Sequence, residues 1–197
     1  MDALMEYLPQ LGMNYHCAHY TVSCPSFDEA RATLYQRYGM QHAFSVRGYT
    51  LPAQTGQSFY KAVEHRPAEA AQIADWQMVV GRSQSARQHW ETLWPSLWEA
   101  FPEIIACQTH RLKMSASGQD AFVCYQQRLF LPRYVDVYCW SPKPLTSQLL
   151  VALRDWAHRA GYRTLNMVLP DNSARLLPAD NVEAEPHETH IYMAALT

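Results

Sequence analysis

Glycine is scarce: seven occur in 197 residues. None falls into a dinucleotide fingerprint, a phosphate-cradling Walker loop or a Gly-x-Ser-x-Gly nucleophile elbow, so those enzyme classes have no support. Blocks of like charge are also missing. The 16 basic and 18 acidic residues, net -2, leave no stripe that could track phosphates, and nucleic acid is not expected as a partner. Arg82, Arg87, Arg154, Arg159, Arg163 and Arg175 are scattered, and would make an anionic-ligand site only if the fold gathered them. There is no Cys-x-x-Cys. Cys17, Cys24, Cys107, Cys124 and Cys139 are odd in number and set in apolar surroundings, which reads as reduced core thiols. No apolar run is long enough to span a membrane. Residues 1–11 carry Asp2 and Glu6 with no basic lead, so a cytoplasmic protein without a membrane partner is expected.

What the chain does have is apolar content, 48%, in a repeating order. A strand over His16–Ser23 precedes a helix over Phe27–Tyr38, with Phe27, Ala30, Leu34 and Tyr38 on one face. Strands Ala43–Leu51 and Phe59–Val63 follow. The same β-α-β-β order recurs from a strand at Trp76–Val80. Its helix, Ser85–Phe101, has an inner stripe of Trp90, Leu93, Trp94, Leu97, Trp98 and Phe101, and strands Ile104–Lys113 and Ala121–Gln126 come next. A third passage runs from Tyr134–Trp140 through a helix over Leu145–Arg159 to strands Thr164–Leu169 and His190–Leu196. Gly161 is placed to stop that helix with a left-handed residue. Helices with one apolar face need a sheet to cover, so the expected fold is α/β (α+β): a mixed, largely antiparallel sheet covered by helices. Breaks fall at Pro52–Gln57 and Arg66–Ala74, giving an N-terminal segment 1–75, which could belong to the same sheet, and a domain 76–197.

The pattern Leu150-x-Ala152-Leu153-x-x-Trp156-Ala157-x-x-x-Gly161, the apolar run Leu165–Leu169, the turn Asp171-Asn172-Ser173-Ala174 and the closing His190–Leu196 resemble the C-terminal half of the GNAT superfamily of acyl-CoA-dependent N-acyltransferases. The resemblance implies a fold half that holds acetyl-CoA or another acyl-CoA and, in an active member, passes the acyl group to an amine. Carried onto this chain, Tyr138, Cys139 and Trp140 would offer a strand edge to the pantetheine arm. Lys143, Thr146 and Ser147 would meet the pyrophosphate at a helix start, where free N–H groups and the dipole favour anions. Asn172 would sit on the short helix, and Glu103 or Asp136 would deprotonate the amine. The chain departs from the family at Ser141–Gln148. That junction holds no glycine, and Pro142 and Pro144 each remove a backbone donor. Ser141 or Thr146 can equally serve as a helix cap. Leu176 and Leu177 stand where the family often has a tyrosine acid.

Other readings use other residues. Ala18–Met40 resembles the first unit of vicinal-oxygen-chelate proteins, with His19 and Glu64 as metal ligands. His19-x-Thr21 and His187-x-Thr189 resemble the paired phrase of cyclic phosphodiesterases. His16/His19 and His187/His190 have zinc-type residues, but three-residue spacing on a strand puts each pair on opposite faces, so no metal is expected. The Trp stripe is core packing, or an anchor for a protein partner if exposed. In that case the chain is a catalytically inactive binding or scaffolding module, and a homodimer is a further option.

Overall fold

The computed structural model describes residues 2–14, 17–64, 76–81 and 109–196. The chain forms two compact units, Met1–Arg47 with Glu185–Thr197, and Gly48–Ala184. The break expected at Arg66–Ala74, the helix over Ser85–Phe101 with its Trp stripe, and the residues His16, Arg82, Arg87, Glu103 and Cys107 lie outside the described residues. The boundary expected after residue 75 abuts them.

In the first unit, helix α1 (Asp2–Asn14) precedes strand β1 (His19–Pro25), helix α2 (Glu29–Arg37) and the opening half of β2 (Gln41–Pro52). The chain's last strand in this unit, Thr189–Ala195, lies between β1 and β2 and pairs antiparallel with both. Strand alternation turns Tyr20, Val22 and Cys24 inward against Met5 of α1 and Tyr35 of α2. The expected inner face of α2 is corrected. Phe27 lies before the Asp28 cap and is exposed, and Tyr35 is the buried residue. The face packed on the core carries Ala32, Tyr35 and Tyr38, one helical stripe at three-residue spacing. Helix α1 was not expected: Pro9 interrupts its pattern, yet Met5 and Leu8 pack on the core. Gly39 follows α2 at φ +77 and ends it with a left-handed residue.

The second unit takes the rest of β2, then β3 (Tyr60–Glu64), β4 (Gln77–Val80), β5 (Thr109–Ala116), β6 (Gln119–Arg128) and β7 (Leu131–Ser141). Helix α3 (Ser147–Arg159), β8 (Thr164–Pro170), α4 (Asp171–Ala174) and β9 (Glu183–Ala184) complete it, leaving Thr189–Ala195 in the first unit as β10. Strands run in the order β2-β8-β7-β6-β5-β3. β3–β5, β5–β6, β6–β7 and β4–β7 pair antiparallel, and β7–β8 pairs parallel. The fold is therefore mixed α+β, with a mostly antiparallel sheet flanked by helices. Alternation in β8 buries Leu165, Met167 and Leu169, which meet Val135, Val137 and Cys139 of β7 and Leu149, Leu153 and Ala157 of α3 in one core.

Two features fix α3. Thr146 Oγ1 accepts from Leu149 N at 3.3 Å and caps the start, and Gly161 at φ +95 follows the last turn. Cys24, Cys124 and Cys139 are buried free thiols, whereas Cys17 is exposed. Burial pushes the Cys124 thiol up to about 12, with Arg111 opposing it, so it stays protonated and inert at neutral pH.

Candidate functional site

The geometry with chemical potential lies where β7 and β8 part. These parallel strands pair over Tyr134–Asp136 and Thr164–Asn166. β6 covers the opposite edge of β7 as far as Trp140. Beyond Asp136, the β8-side edge of β7 is taken by β4: Gln77 faces Ser141, Met78 faces Trp140 and Val80 faces Cys139, antiparallel, with a register shift between Met78 and Val80. Gly81 N donates to Val168 O at 2.8 Å, tying the end of β4 to β8. A short extended segment thus fills the gap between two diverging strands. Cys139 and Trp140, expected to offer a strand edge, are fully buried and flanked on both sides, and Tyr138 is half-buried on the face that carries Trp76 and Phe122.

The junction leading into α3 is tied down from within. Gln119, buried on β6, donates from Nε2 to Ser141 Oγ at 3.0 Å, Lys143 O at 3.2 Å and Pro144 O at 2.8 Å. Its Oε1 accepts from Thr146 Oγ1 at 2.7 Å. Ser141 Oγ donates to Asp120 O and accepts from Lys143 N. One glutamine therefore does what glycines do elsewhere in setting a loop path, but it consumes backbone acceptors and leaves Lys143 N satisfied. Lys143 and Ser147 are exposed beside the helix start. Asn172 is exposed on α4, where its Oδ1 accepts from Ser173 Oγ at 3.5 Å. The structure thus groups Lys143, Thr146 and Ser147 at one end of α3.

Asp136 sits where β7 and β8 begin to part. Its carboxylate accepts from Arg128 Nε at 2.9 and 3.1 Å, with Arg128 Nη2 at 2.8 Å. It belongs to a row that strand register places across the sheet: Asn166 on β8 and Gln126 on β6 are its direct neighbours. Thr50 Oγ1 on β2 donates to Asn166 Oδ1 at 3.0 Å, while Asn166 Nδ2 is buried with no hydrogen-bond partner among the described residues. Sequence reading missed Asn166 and Thr50. The outward phase of β8 was the available signal, since Asn166 is the polar residue on the face opposite Leu165, Met167 and Leu169.

A second missed cluster lies on the far side of α3. Asp155, 0% exposed, accepts from Tyr60 Oη at 2.7 Å, Gly56 N at 3.1 Å and Arg159 Nε at 2.7 Å. Burial pushes its carboxyl up, but the bonds from Tyr60, Gly56 and Arg159 outweigh that and hold it below the usual range. Tyr60 responds in the opposite sense: burial, and then the bond to Asp155, push its phenol up to about 12. Arg154, nearly buried, donates to Pro52 O at 3.1 Å. Residues 53–59 so form a strap across the outer face of α3.

The histidines do not assemble as their spacing would allow. His190 lies opposite Cys24 and Ser45 and meets His42, with ring centroids 5.1 Å apart. His19 and His187 flank opposite ends of the β1/β10 ladder, about 20 Å apart at ~3.3 Å per residue, too far to flank one phosphate. Glu64 pairs with His110 at 3.1 Å. Among the described residues, no group of three or more His, Cys, Asp or Glu side chains is placed to hold a metal. Nor, among them, is any helix long and apolar enough to cross a membrane.

No protein-family model matches the chain, and no curated protein sequence does. Solved structures do. A conserved protein of unknown function from Staphylococcus epidermidis aligns over 97% of this chain and 78% of its own, at 11% identity and a TM-score of 0.50, a likeness of fold. A GCN5-related N-acetyltransferase from Sphaerobacter thermophilus aligns over 98% of this chain and 68% of its own, at 15% identity and a TM-score of 0.48. A putative acetyltransferase from Thermoplasma acidophilum aligns over 98% and 62%, at 11% identity and a TM-score of 0.45.

Proposed function

We propose that the chain is a GNAT-like protein whose β7–α3–β8 half binds an acyl-CoA and, in its active form, transfers the acyl group to an amine. The observation that carries this reading is the parting of β7 and β8 beyond Asp136 and Asn166, with the capped start of α3 beside the wide end. Where the strands part, their edge N–H and C=O groups no longer pair with each other; β4 meets them along β7, and an extended arm bearing amides is suited to satisfy the same groups. The exposed Lys143 and the first-turn N–H groups of Ser147 and Gln148 fit a pyrophosphate. Bound acyl-CoA would supply the activated thioester. In this reading Asn166 and Asp136 orient the acceptor amine, and Asp136 or Glu103 takes its proton. Calorimetry with acetyl-CoA should show saturable binding that Lys143→Ala weakens about tenfold. No heat and no thermal stabilisation at millimolar acetyl-CoA would sink the reading.

Two observations favour a second reading: β4 already occupies the arm's place, and Asp136 is engaged by Arg128. On that basis the same fold is a catalytically silent module that holds a protein partner or a second copy. Size-exclusion chromatography with light scattering, and capture from the native host, test it. A protein that remains a lone monomer in both, and turns over acetyl-CoA, excludes it.

A further inference from the structure

We propose that β4 is an intramolecular competitor for the acyl-carrier arm, a strand that shuts the slot between β7 and β8 until it is displaced. The inference rests on the acyl-carrier reading above. β4 is four residues long, and it does in its place what an extended, amide-bearing arm would do: it lies along the open edge of β7 and donates Gly81 N to Val168 O of β8. Val80, fully buried, plugs the slot with an apolar side chain facing Cys139.

Two features suit this strand to leave. The register shift between Met78 and Val80 drops Val79 out of the pairing, so β4 gives up ladder bonds that a regular strand would keep. The walls of the slot, moreover, do not depend on it. β7 and β8 are joined at Tyr134–Asp136 and Thr164–Asn166, β7 is joined to β6 along its other edge, and α3 spans both strands through Leu149, Leu153 and Ala157. Removing β4 exposes an edge without dismantling the sheet. Gly81 marks the strand's end: it holds φ +134, and the Met78 side chain fills the place where a Cβ would stand. The turn closing the plug is therefore specific to glycine.

The energetic consequence is a population tax. If the open state is the minority, apparent affinity for the arm falls by the open fraction, and freeing β4 restores it. The nucleotide end, which contacts only the start of α3, escapes that tax.

The experiment compares coenzyme A with 3′-phosphoadenosine 5′-diphosphate, which lacks the arm, by calorimetry on three proteins. These are the wild type, Met78→Pro, which places in β4 a residue that fits poorly between two paired strands, and Val80→Cys, oxidised onto the native Cys139 opposite it to lock the strand in place. The expected result is that coenzyme A and the nucleotide bind the locked protein with affinities within about twofold. The arm then adds about tenfold or more in Met78→Pro and in the reduced Val80→Cys protein. If the arm adds the same factor in every protein, locked form included, the competitor role is overturned while acyl-carrier binding stands. If neither ligand binds any of them and circular dichroism shows all three folded, the acyl-carrier reading itself fails and the competitor role goes with it. Should Met78→Pro not fold, the reduced and oxidised states of Val80→Cys decide the matter alone.

Discussion

Asp155 shows what one residue can impose. A carboxylate with no exposed surface is tolerable only if its lone pairs are filled, and three donors from different parts of the second unit fill them. Asp155→Asn replaces an acceptor with a donor that faces Gly56 N or Tyr60 Oη. It should cost about 3 kcal/mol by urea unfolding, whereas Arg159→Ala, at a side chain 69% exposed, should cost under about 1 kcal/mol. Equal losses from the two would contradict the assignment of Asp155 as the centre of the cluster. Phe130 makes the opposite case. It stands in the two-residue turn between β6 and β7 at φ +62 and is 79% exposed, so it contributes strain and little burial. Phe130→Asn, a residue that accepts this conformation, should raise stability by about 0.5 kcal/mol, and a loss on substitution would show that the ring has a partner. Neither residue's role was readable beforehand. Asp155 sits on what the helical pattern makes a solvent face, and a hairpin tip does not announce its backbone angle.

At the scale of elements, α3 illustrates how local signals and long-range packing combine. Helical spacing marked Leu145, Leu149, Ala152, Leu153 and Trp156 as its inner stripe; Leu149, Ala152 and Leu153 are buried there together with Ala157, Leu145 is buried just before the first turn, and Trp156 is half-buried. Gly161 was legible as its stop, and Thr146, beside Ser141, as one of two candidate caps. Its second buried face was not, because it arises from residues 53–59, roughly a hundred positions away in sequence. Gly56 lies so close to the Val151 side chain that a Cβ there would collide with it. Gly56→Ala should therefore cost about 1–3 kcal/mol and lower the protection of Tyr60 in hydrogen exchange. At the other end of α3, Thr146→Ala should cost about 1 kcal/mol through loss of the cap, with Thr146→Ser retaining most of it. An equal loss in the serine variant would show that the methyl group, not the hydroxyl, carries the effect. The loop Ser141–Thr146 was read correctly as lacking glycine. What could not be read is that Gln119, from a strand on the far side of β7, supplies the anchoring.

At the scale of the whole molecule, stability should bend at both ends of the pH range. The Asp155 carboxyl is held below its ordinary value, so its contribution is complete above about pH 4 and is lost as pH falls through the folded value. The Tyr60 phenol is pushed up to about 12. Its contribution is complete below about pH 10, where the unfolded phenol begins to ionise, and is lost as pH rises through 12. Melting temperatures measured across pH should fall at both limits, with Asp155→Asn flattening the acid limb and Tyr60→Phe the alkaline one. An acid limb unchanged by Asp155→Asn would place the sensitivity elsewhere. The sequence by itself determined the elements. Periodicity, caps and stops depend on residues within a few positions of one another, which is why β7, α3, β8 and the mixed α+β class could be read directly. Only the tertiary structure decided which strand edges are used. Backbone N–H and C=O groups are the same at every residue, so nothing in the side chains of Tyr138–Trp140 states that β4 will satisfy them, or that Asn166 will lie beside Asp136 where the two strands part.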